Sequence, residues 1–369
     1  MRIVYIYSSF AQWGGLERVL VDKMNALVAC GGYDIWLLTS DQGDHTMPYA
    51  LDARIHWQDL GVRFHIRYRH RGLRRLLEYF RLSRYYQKRM AKALRQIQPD
   101  LLVCTTAGQI CQLLSVKGSV PLVVECHVNF LHPGTWLQRL RMLSADYYAG
   151  KADAVVTLSE GDARNWRRVS RHVHVIPNVV HLGDSAHKSS CEAPRAVYVG
   201  RFTTQKNLYE LMAAWQVVNS RYPDWQLHMY GDGEQWQAVS ERAAALGSGI
   251  HVHHHAADVM QVYRDSSLLL LTSVYEPFGL VIAEAMSCGL PVVAYDSPYG
   301  PAQMVADGEN GYLVSIGDTA DFASRVCQLI ADADLRRQMG LAGIQTAQRY
   351  SADNIMPQWK QLFGDLTAR

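Results

Sequence analysis

The sequence predicts an α/β protein built from two doubly wound domains facing a cleft, and three observations carry that prediction. Length is the first: one hydrophobic core rarely grows beyond ~250–300 residues, so 369 residues divide naturally into two units. Second, short Val/Ile/Leu runs alternate with helical patterns, as parallel strands joined by crossover helices require. Third, that series occurs twice, on either side of a polar stretch. Hydrophobic residues at 49% and charged residues at 19% exclude a disordered or fibrous chain.

In the first half, strands are expected at Ile3–Tyr7, Ile35–Thr39, Leu101–Thr105, Leu122–Cys126 and Ala154–Leu158. A helix runs from about Leu16 to Val28, and a basic helical stretch precedes the third strand. Gly, Asp, Ser, His, Lys and Pro dominate from about His181 to Pro194, which reads as a linker. The second series places strands at Ala196–Val199, Trp225–Tyr230, Ile250–His254, Leu268–Thr272 and Pro291–Ala294, with helical patterns at Asn207–Asn219 and Asp318–Ala331. The expected domains are 1–185 and 190–351, both Rossmann-like, with a last helix at about 352–369 packing back on the first. No short-period repeat points to a solenoid.

The start, Met-Arg-Ile-Val-Tyr-Ile-Tyr, reads as a buried strand and not as a secretory signal, and no apolar run is long enough to span a bilayer. A cytoplasmic location is expected. The seven cysteines are odd in number and never form Cys-x-x-Cys, so they are expected as reduced core thiols.

The most informative segment is Ser273-Val-Tyr-Glu276-Pro-Phe278-Gly279-Leu280-Val-Ile-Ala-Glu284, continuing to Gly289 and Pro291. An apolar strand ends in a Pro-Phe-Gly turn and a helix begins, so the helix N-terminus faces the carboxyl edge of the sheet, where open α/β sheets bind ligands. Amides near Phe278, Gly279 and Leu280 make an anion site suited to a diphosphate. Glu276 and Glu284 lie eight residues apart, about 12 Å along a helix, too far for a close acid/base pair but matched to the reach from a sugar to a ribose.

This segment resembles the Glu-x7-Glu motif of glycosyltransferase family 4, retaining enzymes of the GT-B fold, and the resemblance covers nearly the whole chain. Gly200-Arg201-Phe-Thr-Thr-Gln-Lys206-Asn207 is similar to the family's Gly-Arg-x4-Lys segment, whose two cations bind the donor diphosphate. A guanidinium and an ammonium there neutralise leaving-group charge without a metal. Gly14-Gly15-Leu-Glu17, after the first strand, resembles the Gly-Gly-x-Glu loop, with Gly15 allowing close approach of the backbone to a ligand. His127, after Glu125-Cys126, matches the histidine that contacts the transferred sugar. Gly231, in Tyr230-Gly-Asp-Gly-Glu234, resembles the glycine turn beneath the nucleotide. Thr157-Leu-Ser159-Glu160 and Ile176-Pro-Asn178 look like strand-end signatures that support the fold.

The resemblance implies transfer of a hexose or N-acetylhexosamine, with retention, from a nucleotide-diphosphate sugar, UDP preferred, to a glycan acceptor that is lipid-linked. Arg201, Lys206 and helix amides hold the diphosphate, Glu284 the ribose, and Glu276 with His127 the sugar. No metal or other cofactor is implied. Two alternatives stay open: a catalytically silent nucleotide-sugar-binding subunit, and a sugar-nucleotide epimerase on the same fold. A nicotinamide enzyme is disfavoured, because Gly231-x-Gly233 runs on to Trp236 where its fingerprint needs glycine. Gln303 departs from the family, which often has an acid there. His251, His253, His254 and His255 suggest a metal, but successive strand residues alternate faces.

Charge is concentrated in one place. Val62 to Gln98 holds twelve Lys+Arg and one acid, Glu78, leaving the rest of the chain at −8 within a net charge of +3. Leu, Phe and Tyr recur at helical spacing among these arginines, a basic amphipathic pattern suited to an anionic membrane surface. Arg74, Arg75, Arg81, Arg84 and Lys88 are its expected contacts, with Trp136 in a second aromatic-basic segment. Peripheral association with the inner face of the cell membrane is therefore expected; no nucleic-acid motif accompanies the charge.

Overall fold

The computed structural model describes residues 1–11, 14–105, 109–128, 130, 143, 146–184 and 187–368. The chain divides into two compact units, Met1–Val179 with Ile355–Arg369, and Val180–Asn354. The helix Ala352–Thr367 begins at the end of the second stretch and carries the chain back into the first unit.

The first unit holds a seven-stranded parallel sheet in the order β3-β2-β1-β4-β5-β6-β7. Its strands are β1 (Arg2–Tyr7), β2 (Asp34–Thr39), β3 (His56–Asp59), β4 (Leu101–Cys104), β5 (Leu122–Cys126), β6 (Ala154–Thr157) and β7 (Val173–Val175). β4 and β6 are buried along their whole length, as the near-continuous apolar runs of a sheet covered on both faces demand. The helix Gly15–Cys30 packs its Val19, Leu20, Met24, Leu27 and Val28 inward, and Lys23 is buried among them.

The second unit holds a six-stranded parallel sheet, β10-β9-β8-β11-β12-β13. These strands are β8 (Arg195–Val199), β9 (Gln226–Tyr230), β10 (Ile250–His253), β11 (Leu268–Leu271), β12 (Val292–Tyr295) and β13 (Gly311–Val314). Both sheets have the 3-2-1-4-5-6 order of a doubly wound fold, so strand order reverses between β1 and β4 and between β8 and β11.

Three strands escaped the sequence reading, and each has a reason. β3 is His-Trp-Gln-Asp, an edge strand with no apolar run. β7, Val-His-Val, is three residues long and also at an edge. β13 starts at Gly311, which reads as a turn; its missing Cβ would lie 2.2 Å from the Val292 carbonyl oxygen, so β12 and β13 approach closely only because it is glycine. The expectation of seven core thiols is also corrected: Cys30 and Cys111 are exposed, because each falls on the outward side of its helix.

Candidate functional site

In an open doubly wound sheet, ligands bind beyond the carboxyl ends of the strands that flank the reversal. In the second unit these are β8 and β11, and the segments leaving them carry Arg201, Lys206 and Glu276. Hydrogen bonds stitch the two segments together. Val274 N–H donates to the Gln205 carbonyl at 3.0 Å, Gln205 Nε2 to the Tyr275 carbonyl at 2.6 Å, and Thr272 Oγ1 to the carbonyls of Lys206 and Asn207 at 3.2 and 3.1 Å. Asn207 takes a left-handed φ of 53°, which turns the chain from the Lys206 loop into the helix Leu208–Arg221.

The result is a direct ion pair from the Lys206 ammonium to Glu276 Oε2, joined by Ser273 Oγ at 3.4 Å. Both partners are largely buried. Arg201 is exposed earlier on the same segment as Lys206, and its carbonyl accepts from Tyr198 Oη at 3.1 Å. The Lys206–Glu276 contact was not legible in the sequence, where the two residues stand 70 positions apart.

The Arg201 loop rests on the Gly231-Asp232-Gly233 turn after β9. A Cβ on Gly231 would sit 1.9 Å from the Gly200 carbonyl oxygen, and one on Gly233 would sit 2.5 Å from that of Phe202. Phe202 N–H donates to the Asp232 carbonyl at 2.9 Å and Gln235 N–H to the Phe202 carbonyl at 3.0 Å. These glycines thus have an internal reason: they let the Arg201 loop lie directly on the β9 turn.

The helix Leu280–Ser287 starts from Gly279 at φ 87°, a left-handed position that suits glycine. Phe278 points into the core against Tyr350, so only its backbone is available to a ligand. Glu276 precedes this helix and bridges to Tyr299, whereas Glu284 lies on it. The 12 Å helical spacing is therefore corrected: one helix does not carry both carboxylates, because Pro277 to Gly279 form the turn. Glu284 is 5% exposed, and its Oε2 accepts from Tyr263 Oη at 3.2 Å.

In the first unit, β5 delivers Glu125 and, one residue beyond its end, His127. Glu125 is buried and bridges two cationic or donor groups: its Oε1 pairs with the Lys23 ammonium, and its Oε2 lies 3.0 Å from His127 Nε2. Burial alone would push this carboxyl up, yet Lys23 and His127 beside it hold it below the usual glutamate range. Gly15 opens the helix Gly15–Cys30 after β1, and Tyr7 Oη donates to Glu17 Oε1 at 2.7 Å, anchoring that loop.

Residues 13–184 match the family profile described as Glycosyltransferase Family 4, and residues 185–346 match Glycosyl transferases group 1. The chain belongs to the family 4 glycosyltransferases. Among its relatives is the amylovoran biosynthesis glycosyltransferase AmsD of Erwinia amylovora, 26% identical, with 98% of this chain and 99% of that one covered. Another is a Campylobacter jejuni alpha-1,4-N-acetyl-D-galactosaminyltransferase named for a PP-undecaprenol-linked glycan, 23% identical, with 99% of each covered. The Anabaena HepE structure in complex with UDP and glucose matches at TM-score 0.76 and 19% identity, covering 99% of this chain and 100% of that one. The fold is GT-B.

The remaining expected contacts of the glycosyltransferase divide by position. Arg74, Arg81, Arg84 and Lys88 are exposed on the helix Gly72–Ile97, and Arg75 is half-buried with its guanidinium 4.5 Å over the Tyr68 ring. Arg81 is paired with Glu78. The carboxyl-terminal part of this helix packs Leu82, Tyr86, Met90, Leu94 and Ile97 inward, whereas Leu73, Leu76, Leu77 and Phe80 are 50–71% exposed. Trp136 lies outside the described residues. His251 and His253 share one face of β10 with His228 of β9, and His228 Nδ1 lies 3.0 Å from His253 Nε2. His254 and His255 instead turn to Asp232, and His254 stacks on Trp236 at 4.3 Å.

Proposed function

We propose that this glycosyltransferase moves a hexose or N-acetylhexosamine, with retention and without a metal, from a UDP-sugar to a lipid-linked glycan in cell-surface polysaccharide synthesis. The observation that carries the reading is the Lys206–Glu276 pair at the β8/β11 reversal, with Arg201 earlier on the same segment as Lys206. Arg201 and Lys206, with the amides from Phe278 to Leu280, take the diphosphate, and their positive charge stabilises it as it leaves. Glu284 takes the ribose hydroxyls, Glu276 the sugar, and His127 is a contact of the sugar being transferred. Two fixed cations supply the role that a divalent ion plays in other phosphate chemistry.

UDP and glucose in the HepE complex favour a UDP-sugar, the AmsD relative favours a role in polysaccharide biosynthesis, and the Campylobacter relative favours a glycan carried on undecaprenyl diphosphate. Among the described residues no helix is long and apolar enough to cross a membrane. The exposed Leu73, Leu76, Leu77 and Phe80 with flanking Arg74, Arg84 and Lys88 suit docking on the anionic inner face.

The test is a screen of UDP-glucose, UDP-galactose and their N-acetyl forms for UDP release, with and without polyprenyl-diphosphate glycans and in the presence of EDTA. Acceptor-dependent release that EDTA leaves unchanged, with an α-linked product by NMR from an α-linked donor, is expected. Sugar epimerisation without acceptor, or binding without turnover, would replace this reading by one of its alternatives.

A further inference from the structure

Lys23 occupies a position where chain folding alone calls for an apolar residue. On the helix Gly15–Cys30 its neighbours one turn away, Leu20 and Leu27, are buried core residues, yet Lys23 is itself 2% exposed. Burying an ammonium is costly, and a buried ion pair is often no more stabilising than apolar residues of the same volume. Burial pushes Lys23 below the ordinary lysine range, while the Glu125 carboxylate opposes that shift. The pair is enclosed by the final helix: the Lys23 ammonium lies 4.1 Å over the Trp359 ring and 5.3 Å from the centre of Tyr5. Lys23, Glu125, His127, Asn178 and Trp359 border a cavity of about 10 Å³, which is about the space of one water.

Glu125 uses both oxygens, one on Lys23 and one on His127 Nε2. A carboxylate can only accept, so His127 carries a proton on Nε2, and Nδ1 is the nitrogen Glu125 leaves for other work. The Lys23 ammonium in turn fixes the carboxylate, whose side chain would otherwise rotate about its own axis.

We propose that Lys23 and Glu125 are positioning residues that fix the tautomer and orientation of His127, so that Nδ1 is presented to the substrate. This rests on the reading of His127 as a contact of the transferred sugar. The ion pair, in this view, is retained for the geometry of the histidine rather than for the stability of the core.

The experiment uses the full chain with ¹⁵N-labelled histidine, the His127→Ala variant identifying the His127 signals. The wild type is expected to show Nε2 protonated and Nδ1 unprotonated; Glu125→Gln, whose amide can donate, is expected to shift protons to Nδ1. In UDP release from UDP-glucose or UDP-N-acetylglucosamine, Glu125→Gln and the apolar pair Lys23→Met/Glu125→Leu are expected to lose ~10–100-fold in kcat with donor KM unchanged. Lys23→Arg should restore much of the loss seen with Lys23→Met, and neither substitution should add to the loss of His127→Ala.

An unchanged tautomer in Glu125→Gln, or full turnover by the apolar pair alongside an inactive His127→Ala, would overturn the positioning role and leave the sugar contact standing. Full turnover by His127→Ala would remove the sugar contact, and the inference with it. The apolar pair guards against misfolding, since it replaces the buried charges without leaving either one unpartnered.

Discussion

Lys206 and Glu276 hold each other at the β8/β11 reversal, the ammonium on Oε2 of the carboxylate. The pairing connects the cation assigned to the diphosphate with the acid assigned to the sugar. In the proposed reaction a diphosphate would compete for Lys206 and leave Glu276 able to accept from sugar hydroxyls.

Lys206→Ala is therefore expected to lower turnover ~100-fold or more while the far-ultraviolet circular dichroism stays that of the wild type. Glu276 then remains buried with Ser273 as its partner, and a stability loss of ~1–3 kcal/mol should follow in urea unfolding. Near-normal turnover would remove Lys206 from the leaving-group site.

Gly231→Ala tests the packing beneath Arg201. Its Cβ would meet the Gly200 carbonyl at 1.9 Å, and its φ of 153° is poorly suited to alanine. A loss of ~1–3 kcal/mol is expected, with weaker UDP binding by calorimetry because the Arg201 loop must move. Unchanged UDP affinity in a destabilised variant would mean that the Arg201 loop does not set the donor site.

The proposed membrane docking is tested by its electrostatic signature. Replacing Arg74, Arg84 and Lys88 by glutamate should abolish sedimentation with vesicles containing phosphatidylglycerol, whereas Leu77→Ser/Phe80→Ser should weaken it at all salt concentrations. Wild-type binding should fall as salt rises from low to physiological strength. Equal binding to neutral vesicles would count against the basic helix as the dock.

Acidification should destabilise the second unit through His228. Burial, followed by Arg195, His251 and His253, pushes its pKa down to about 4, and Gln226 faces its other nitrogen. An unfolded histidine protonates near ~6.5, so the unfolded chain takes up the proton first as pH drops. Stability is thus full above that pH and is lost toward pH 4. His228→Phe keeps the ring stack and removes the titration; its melting temperature should vary less between pH 7 and 5 than that of the wild type.

Much of this molecule was legible in one dimension. Apolar runs fixed most strands to within a residue or two at each end, because strands covered on both faces must be apolar throughout. The Glu276-Pro-Phe-Gly turn and the helix start after it were readable because a turn demands particular residue types. Short edge strands were not, since β3 and β7 bury too little surface to require a pattern.

What tertiary structure alone decided is partnership. The residues of the Lys206–Glu276 and Lys23–Glu125 pairs stand 70 and 102 positions apart, and only the parallel crossover topology brings them together. Nothing in the sequence around Lys23, on the helix Gly15–Cys30, announces the carboxylate that β5 sets against it. Sequence specifies which groups exist and the local turns that carry them; which charges share a low-dielectric site follows from the order in which strands are laid side by side.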